Sequence, residues 1–369
     1  MSVEFIGYVG HFNSSETMRR TTIALDPDYV GAVAKAHEYV GFDRVLVAFN
    51  SPSVESILVG QHIAHVTERL GLMIAHRPGF TAPTLAARQF ATLDHFSKGR
   101  AAVHIITGGN DVELAQDGDH LTKDERYART AEYIDVLRQE WTSQAPFDYA
   151  GRFYQVERGF ADLKPYRPGG IPVYFGGASP AAIAVAGRHA DVYALWGETL
   201  DQVRELINRV RAAAAPHGRT PRFSLSLRPV LADTEEAAWA KADRILEQAR
   251  ALREAGGSGR SQFNVREKTA TPANEGSRRL LEAAAQGSRL DKRLWTGIAA
   301  LTGAQGNSTG LVGTPDQVAD AMLDYWDLGI TTFLIRGFDP LTDAIQYGRE
   351  LLPRVRELVA GRRVAAAAD

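Results

Sequence analysis

The sequence predicts an α/β fold, a (β/α)8 TIM barrel with insertions, and two observations carry this prediction. Apolar, β-branched runs alternate with amphipathic helical segments about eight times, a pattern typical of parallel strands joined by helices. The length of 369 residues also suits one barrel with insertions. We therefore interpret residues 1–369 as a single barrel domain.

The first half of the chain supplies the first three strand–helix units. The first strand is EFIGYVGHF, which ends near His11, and the helix after it begins at Asp26 or Pro27. The second strand is RVLVAF, followed by a polar turn that contains Ser53. A helix over about Val54–Leu70 leads to the third strand, LGLMIAH.

The stretch from Arg77 to Gly109 reads as a loop, a helix and a fourth strand. Thr81 is a suitable helix N-cap, and a basic residue followed by glycine at Lys98 and Gly99 favours a helix end there. The strand that follows ends near Thr107. Ligand sites of α/β folds lie at the carboxyl ends of parallel strands, so we place the functional site at this strand end.

The second half continues the alternation with two interruptions. The remaining strands are IPVYF, DVYAL, RFSLSLRPV and TTFLIR. Residues 145–158 alternate around Ala150-Gly151 and predict an inserted β-hairpin before the fifth strand. Residues 255–310 contain several Gly- and Ser-rich clusters without a clear strand, which predicts a mobile lid.

Composition excludes several classes of function. Lys and Arg number 42 against 44 Asp and Glu, a formal net charge of −2, so nothing indicates binding to nucleic acid or an anionic membrane. No apolar run approaches the roughly 20 residues of a membrane-spanning helix. The chain has no cysteine, which excludes disulfides and thiolate chemistry. We expect a cytoplasmic protein.

Four residues between the fifth strand and its helix form a candidate anion site: Gly176, Gly177, Ala178 and Ser179. Backbone N–H groups at a helix N-terminus attract phosphate, and glycines permit its close approach. An ordinary strand-to-helix turn explains the same residues equally well.

Metal and hydrolase chemistry are poorly supported. His62 and His65 lie three apart on a predicted helix, but no carboxylate joins them in a recognised ligand pattern, so we expect no metal site. The sequence lacks the GxSxG elbow of serine hydrolases. The acidic pair Asp111 and Glu113 is interpreted as a solvated loop.

Motifs along nearly the whole chain resemble the flavin-dependent monooxygenases of the bacterial luciferase-like group. The longest is RPGFTAPTLAARQFATLDHFSKGR, followed by HIITG; ERY, YFGGAS, LWGE, LVG and GFDP come after it in order. Within that group the chain is most similar to the two-component alkanesulfonate monooxygenases. The resemblance implies a luciferase-like TIM barrel that uses FMNH2 supplied by a separate NAD(P)H-dependent flavin reductase, with O2 as co-substrate.

The resemblance also assigns candidate residues. It implies that Gly176 to Ser179 hold the FMN phosphate, that Tyr127 of the ERY motif contacts the cofactor, and that Thr107 meets the flavin ring. It places Trp196 and His11 in the substrate pocket. Without it, Tyr127 reads as a helix-surface residue, Thr107 as a residue with strand propensity, and His11 and Trp196 as structural.

Departures from the alkanesulfonate pattern lie among the residues that would contact substrate. Ser53 stands at the family's cysteine, and Phe338 at its C-terminal tyrosine. The family's Arg-x-His on the seventh strand reads Ser226-Leu227-Arg228 here, leaving one arginine to anchor an anionic or strongly polar substrate. Trp196 and Phe338 would form apolar walls. We expect a small organosulfur substrate, sulfonate- or sulfone-like, oxidised with C–S cleavage.

Three other functions remain open from the sequence. The chain could be a same-fold monooxygenase that acts on a non-sulfur substrate, or a deazaflavin-dependent hydride-transfer enzyme. It could also be a flavin-binding protein without turnover. Members of such a group self-associate, and the predicted helix over Val54–Leu70 offers a face for a homodimer or homotetramer.

Overall fold

The computed structural model describes residues 2–19, 22–256, 274–304 and 306–368, with side chains to residue 364. The strands are β1 (Glu4–Val9), β2 (Arg44–Val47), β3 (Gly71–His76), β4 (Ala101–Ile105), β5 (Phe147–Ala150), β6 (Gln155–Gly159), β7 (Val173–Gly176), β8 (Val192–Trp196), β9 (Arg222–Leu231), β10 (Arg289–Leu290), β11 (Leu294–Trp295), β12 (Gly310–Gly313) and β13 (Ile330–Ile335).

Helices follow most of these strands. They are α1 (Pro27–Tyr39), α2 (Ser56–Val66), α3 (Pro83–Phe96), α4 (Asp111–Ala115), α5 (Lys123–Thr142), α6 (Pro180–His189), α7 (Leu200–Ala214), α8 (Glu235–Glu254), α9 (Glu275–Gln286), α10 (Gly297–Thr302), α11 (Pro315–Asp327), α12 (Pro340–Gln346) and α13 (Leu352–Ala368). None of the helices that the structure describes is long and apolar enough to cross a membrane.

The strand order confirms the predicted barrel. The sheet runs β10-β11-β12-β9-β13-β1-β2-β3-β4-β7-β8, and a further pairing joins β9 to β8. Eight parallel strands, β1 to β4, β7 to β9 and β13, thereby close into a (β/α)8 TIM barrel. Several of these strands, such as β3 and β9, are buried along nearly their whole length, as expected of parallel strands covered on both faces.

The chain divides into two compact units, each built from more than one segment. The first unit comprises Met1–Val45, Ala194–Asn208 and Arg222–Asp369, and the second comprises Leu46–Tyr193 and Arg209–Pro221. Strands β1, β9 and β13 belong to the first unit, whereas β3, β4 and β7 belong to the second.

In the second unit, α5 is the longest helix and an antiparallel hairpin follows it. Thr122 caps α5 through a reciprocal capping box with Glu125. The hairpin consists of β5 and β6, within the interval where the sequence predicts an insertion. Glu132 of α5 fixes the turn between these strands, because its carboxylate accepts the backbone N–H groups of residues 152, 153 and 154.

In the first unit, β9 is long enough to pair with two different strands. Its residues from Phe223 to Leu227 pair with β13, and those from Arg228 to Leu231 pair with β12. The antiparallel strands β11 and β10 extend the β12 edge. The sequence predicts no strand over 255–310, but α9, β10, β11 and α10 lie in that interval. Residues 257–273 and 305 of the predicted lid lie outside the described part of the chain.

Local predictions near the second unit's strand ends need two corrections. Thr81 does not cap α3: the helix begins at Pro83, and Ala82 occupies the cap position without a side-chain hydrogen bond. Proline there presets the helical φ angle and has no N–H to cap. Asp111 and Glu113 are not a solvated loop but the first turn of α4, where acidic residues favour the helix N-terminus.

Candidate functional site

The turn between β7 and α6 forms a backbone cradle. Gly177 has φ +133°, a conformation that side chains disfavour, and a Cβ there would lie 2.8 Å from Cβ of Ala182. Ser179 is the N-cap of α6, its hydroxyl accepting from the N–H of Ala182 at 3.3 Å, and Pro180 begins the helix. Tyr193 donates to the carbonyl of Gly177 at 2.6 Å. The turn is thus held around a residue that has no side chain.

Tyr127 of α5 lies directly over this cradle. Its side chain is hydrogen-bonded to that of Ser179, and its hydroxyl oxygen would be 3.1 Å from a Cβ at position 177. Burial raises the pKa of Tyr127, and the hydrogen bond with Ser179 partly offsets that rise. The phenol therefore stays protonated and can donate a hydrogen bond at neutral pH. Arg209 donates to the carbonyl of Ala178 at 3.3 Å.

The cradle fits a phosphate group on geometric and chemical grounds. A helix N-terminus offers unsatisfied backbone N–H groups and a positive dipole end. Gly177 has no Cβ to keep an anion from the backbone, and the hydrogen-bonded hydroxyl pair of Ser179 and Tyr127 has one O–H left to donate beside it. The sequence-predicted phosphate residues and Tyr127 are therefore neighbours.

Three α5 residues spaced three apart contact the ends of three neighbouring strands. Besides the Tyr127–Ser179 bond after β7, Thr130 Oγ1 lies 3.1 Å from Thr107 Oγ1 after β4. Tyr133 Oη lies 2.6 Å from His76 Nε2 at the end of β3. This spacing keeps residues on nearly the same helix face, so one helix positions polar groups at three strand ends.

The hydrogen-bond chain at Thr107 sets the direction of its hydroxyl. Thr130 donates its only hydroxyl hydrogen to the carbonyl of Arg126 at 2.8 Å. In the hydrogen bond between the two threonines, Thr107 must then be the donor. Thr107 is buried, and a further group that approaches its hydroxyl oxygen meets a hydrogen-bond acceptor.

His76 is a neutral imidazole at the end of β3. Burial lowers its pKa to about 4, and burial raises the pKa of Tyr133 well above the usual tyrosine range. The two rings therefore share an uncharged hydrogen bond near neutral pH. Sequence reasoning missed both residues. A histidine at the end of a strand and a tyrosine inside a helix are both common, and nothing in the neighbouring sequence indicates that the two are in contact.

Arg77 organises a second network that the sequence did not predict. It lies beside the rings of Phe49 and Phe80, which contact each other, with its guanidinium carbon 5.4 and 5.5 Å from their centroids. Its Nη2 is 2.8 Å from Glu113 Oε1, and its Nη1 donates to Ser51 Oγ at 3.0 Å. The pairing places α4 and the turn after β2 against the end of β3. The sequence does contain one signal that could have identified this network: an arginine directly after an apolar strand.

Ser53 closes the turn that Arg77 holds. Its hydroxyl donates to the carbonyl of Asn50 at 2.8 Å and accepts from the N–H of Asn50 at 3.1 Å. The side chain is half-buried, and both of these hydrogen bonds are local to the turn.

In the first unit, Arg228, the residue predicted to anchor the substrate, is buried in an ion-pair cluster. Its side chain is 0% exposed, with Nη1 2.8 Å from Glu16 Oε2 and Nη2 donating to the carbonyl of Gly337 at 2.8 Å. Arg336 binds the other carboxylate oxygen of Glu16 at 2.8 Å. Sequence reasoning missed Glu16 because it lies in an irregular loop far from both arginines in the chain.

The predicted aromatic walls also differ from expectation. Phe338 is buried in a core cluster with Trp295, and the guanidinium carbon of Arg228 lies 3.5 Å from its ring centroid. Its side chain is 4% exposed. Trp196, the last residue of β8, is half-buried against Leu280, and a Cβ at Gly276 would lie 2.9 Å from its indole ring.

His11 lies two residues beyond β1, so the first strand ends earlier than its apolar pattern predicts. The ring is half-buried and packs edge-on against Phe12, with centroids 4.6 Å apart. Its backbone carbonyl accepts from the N–H of Asp26, the N-cap of α1, at 2.8 Å. This bond ties the loop after β1 to the start of the helix.

A family model described as luciferase-like monooxygenase matches residues 4–332 of the chain. The chain belongs to the luciferase-like monooxygenase family. The match begins at the first residue of β1 and reaches into β13, so it spans most of the sequence.

Solved structures share the fold at low sequence identity. A riboflavin lyase solved with modified FMN and riboflavin has a TM-score of 0.77 and 19% identity, covering 97% of this chain and 92% of that one. EDTA monooxygenase from Chelativorans sp. BNC1 has a TM-score of 0.73 and 20% identity, covering 99% and 95%. An F420-dependent secondary alcohol dehydrogenase has a TM-score of 0.68 and 18% identity, covering 96% and 99%.

Proposed function

We propose that this protein is an FMNH2-dependent monooxygenase that uses O2 to oxidise a small organic substrate. The observation that carries the proposal is the cradle from Gly176 to Ser179 with Tyr127 over it. It supplies backbone donors, one hydroxyl donor and a turn without a side chain at its centre, which suit one anionic group. Membership of the luciferase-like family and similarity to an FMN-containing lyase and an EDTA monooxygenase support FMN as the bound group.

The chain's own residues would bind and orient that cofactor. The hydrogen-bonded hydroxyl pair of Ser179 and Tyr127 would donate one hydrogen bond to the phosphate, and the lack of a side chain at Gly177 lets the turn backbone come close. Thr107, held by Thr130, would accept a hydrogen bond from a cofactor N–H or O–H group. When bound, reduced flavin supplies the electrons that activate O2, and the protein contributes binding and orientation.

The substrate is proposed to be an organosulfur compound cleaved at its C–S bond, on the strength of the motifs shared with the alkanesulfonate enzymes. Half-buried Trp196 and His11 of the first unit, and Ser53 of the second, are proposed substrate contacts. A separate NAD(P)H-dependent reductase would supply FMNH2 to a cytoplasmic homodimer or homotetramer.

Anaerobic titration with FMNH2, FMN and F420 tests the cofactor assignment. We expect FMNH2 to bind in the micromolar range, tighter than FMN, and F420 to bind weakly. Failure of both forms of FMN to bind below about 1 mM, a free energy of only about −4 kcal/mol, would reject the proposal. Substrate-dependent O2 consumption with a flavin reductase then separates a monooxygenase from a flavin-binding protein without turnover.

The second candidate is a hydride-transfer enzyme that uses F420. Its support is the structural similarity to an F420-dependent alcohol dehydrogenase, which shares the same fold. F420 binding tighter than FMNH2 binding, with turnover in the absence of O2, would favour it over the monooxygenase.

A further inference from the structure

One carboxylate joins two arginines in the first unit. Oε2 of Glu16 lies 2.8 Å from Nη1 of Arg228, and Oε1 lies 2.8 Å from Nη2 of Arg336. Arg228 belongs to β9 and Arg336 directly follows β13, two neighbouring barrel strands. Glu16 therefore takes the bridging position that a carboxylate or sulfonate of a ligand would take between two guanidinium groups.

The loop that carries Glu16 is fixed at the same strand ends. Thr17 donates to the carbonyl of Phe338 at 3.2 Å, and Ser15 and Met18 form an isolated antiparallel bridge around Glu16. Arg228 is wholly buried, and it also donates to the carbonyl of Gly337. Because burying an unpaired guanidinium is costly, Glu16 is needed where it lies.

Arg336 keeps one donor beside a cavity of about 10 Å³, room for about one water molecule. It lines this cavity together with Tyr8 and Ser14. Its Nε is buried and, among the described residues, has no hydrogen-bond partner. A polar group in this cavity would meet a donor on Arg336, whose guanidinium is already paired with Glu16.

We propose that Glu16 is a specificity-determining residue that makes this arginine pair reject substrates with a free carboxylate or sulfonate. An anionic group must either displace Glu16 from two arginines or lie beside its negative charge, and both are unfavourable. The inference rests on the proposed function and deepens it: of the two organosulfur classes, the uncharged, sulfone-like substrate is favoured over the sulfonate.

Direct binding of two small probes of similar shape tests this role. We would titrate methanesulfonate and its uncharged analogue dimethyl sulfone, by calorimetry without flavin, into the wild type and Glu16→Gln. The wild type should bind methanesulfonate no tighter than the sulfone. Glu16→Gln should bind methanesulfonate at least tenfold tighter than the wild type, because the arginines lose their internal carboxylate, while sulfone binding changes less than threefold.

Two further variants separate this role from general effects of charge. Glu235→Gln removes a carboxylate that also pairs with an arginine, Arg293, which is not part of the cluster, and it should not change methanesulfonate binding. The double variant Glu16→Gln/Arg336→Gln removes one charge of each sign and should lose the gained affinity. If Glu16→Gln does not fold, comparing the affinities of the wild type for methanesulfonate and dimethyl sulfone still tests the proposal.

Methanesulfonate that binds the wild type tenfold tighter than the sulfone would overturn the proposal, as would unchanged methanesulfonate binding in folded Glu16→Gln. FMNH2 affinity, measured in parallel, reports separately on the cofactor assignment. If FMNH2 does not bind but Glu16→Gln gives the expected result, the cofactor assignment is rejected and the role of Glu16 stands. If FMNH2 binds but Glu16→Gln leaves methanesulfonate binding unchanged, only the role of Glu16 is rejected.

Discussion

A side chain at Gly177 would be unfavourable for two reasons. The backbone has a positive φ angle, and the Cβ position is close to Ala182 and Tyr127. Gly177→Ala places a methyl group against Ala182 and Tyr127 at a φ of +133°. We expect FMNH2 affinity to fall at least about tenfold, and the free energy of unfolding to fall by about 1–3 kcal/mol. Gly118→Ala is the matched control, because Gly118 has φ +78° with nothing within 4 Å of its Cβ position. Equal losses of affinity in both variants would refute a role for the space above Gly177.

Thr130 is predicted to act on the cofactor through Thr107. Thr130→Val frees the hydroxyl of Thr107 to point elsewhere, so we expect FMNH2 affinity to fall about three- to tenfold, while Thr130→Ser retains it. Thr142→Val is the control, since Thr142 makes the same hydrogen bond to the carbonyl four residues earlier on α5, at 2.8 Å. Flavin fluorescence measures the affinities. A loss with Thr142→Val of similar size would show that α5 stability, rather than Thr107, is responsible.

Residues whose roles depend on local sequence could be predicted, and those that depend on distant partners could not. Ser179 and Pro180 are recognisable because an N-cap and a first-turn proline act within one helical turn. The burial of Arg228 follows from its pairing with Glu16, which the strand pattern around residue 228 does not contain. A cation inside an apolar strand indicates that some carboxylate exists, but not which one.

At the scale of elements, α9 is fastened to the β8 end by one buried ion pair. Arg279 contacts Glu198 at 2.8 Å and Glu205 at 2.7 Å, and Glu198 is 2% exposed. Arg279→Met leaves the buried carboxylate of Glu198 without its cation, so we expect a loss of about 3 kcal/mol in the free energy of unfolding. Chemical denaturation measures it.

The neighbouring arginine on the same helix provides the control for Arg279. Arg278 pairs with Glu275 and Glu282 but is exposed, so Arg278→Met should change the free energy of unfolding by no more than about 0.5 kcal/mol. Comparable losses in the two variants would mean that helix propensity, rather than the buried pair, holds α9.

Long elements were predictable, whereas short added strands were not. The barrel strands carry runs of buried apolar residues, as in β3, where all six residues are buried. β10 and β11 have two residues each, too few for a periodic pattern, and two of the four residues of β12 are glycines, which strands disfavour. These short strands lie beyond the barrel strands in the sheet, where the last four residues of β9 pair with β12.

At the scale of the whole molecule, buried neutral histidines make stability depend on pH. Burial lowers the pKa of His37, His76 and His104 to about 4, and of His189 to about 3, from an ordinary value of 6.5. Between these values the unfolded chain binds protons that the folded chain does not. Each histidine therefore lowers the free energy of unfolding as pH falls from about 6.5 towards 4.

His76→Phe isolates one of these contributions. Relative to this variant, the wild type should lose up to about 1.4 kcal/mol per pH unit as pH falls between 6.5 and 4, because one proton is taken up on unfolding. Urea denaturation of both proteins across this range measures the difference. Parallel pH profiles would contradict a buried neutral His76.

The measurement that tests the central proposal most directly is FMNH2 binding by Ser179→Asp. Aspartate caps helices as well as serine does, so α6 should persist, but its carboxylate would occupy the proposed phosphate position. Thr234→Asp makes the same change at the N-cap of α8 and serves as the control. We predict that Ser179→Asp weakens FMNH2 binding at least about 100-fold, through charge repulsion and lost donors, and that Thr234→Asp leaves it unchanged. Undiminished FMNH2 binding by folded Ser179→Asp would contradict the phosphate site and, with it, the cofactor assignment.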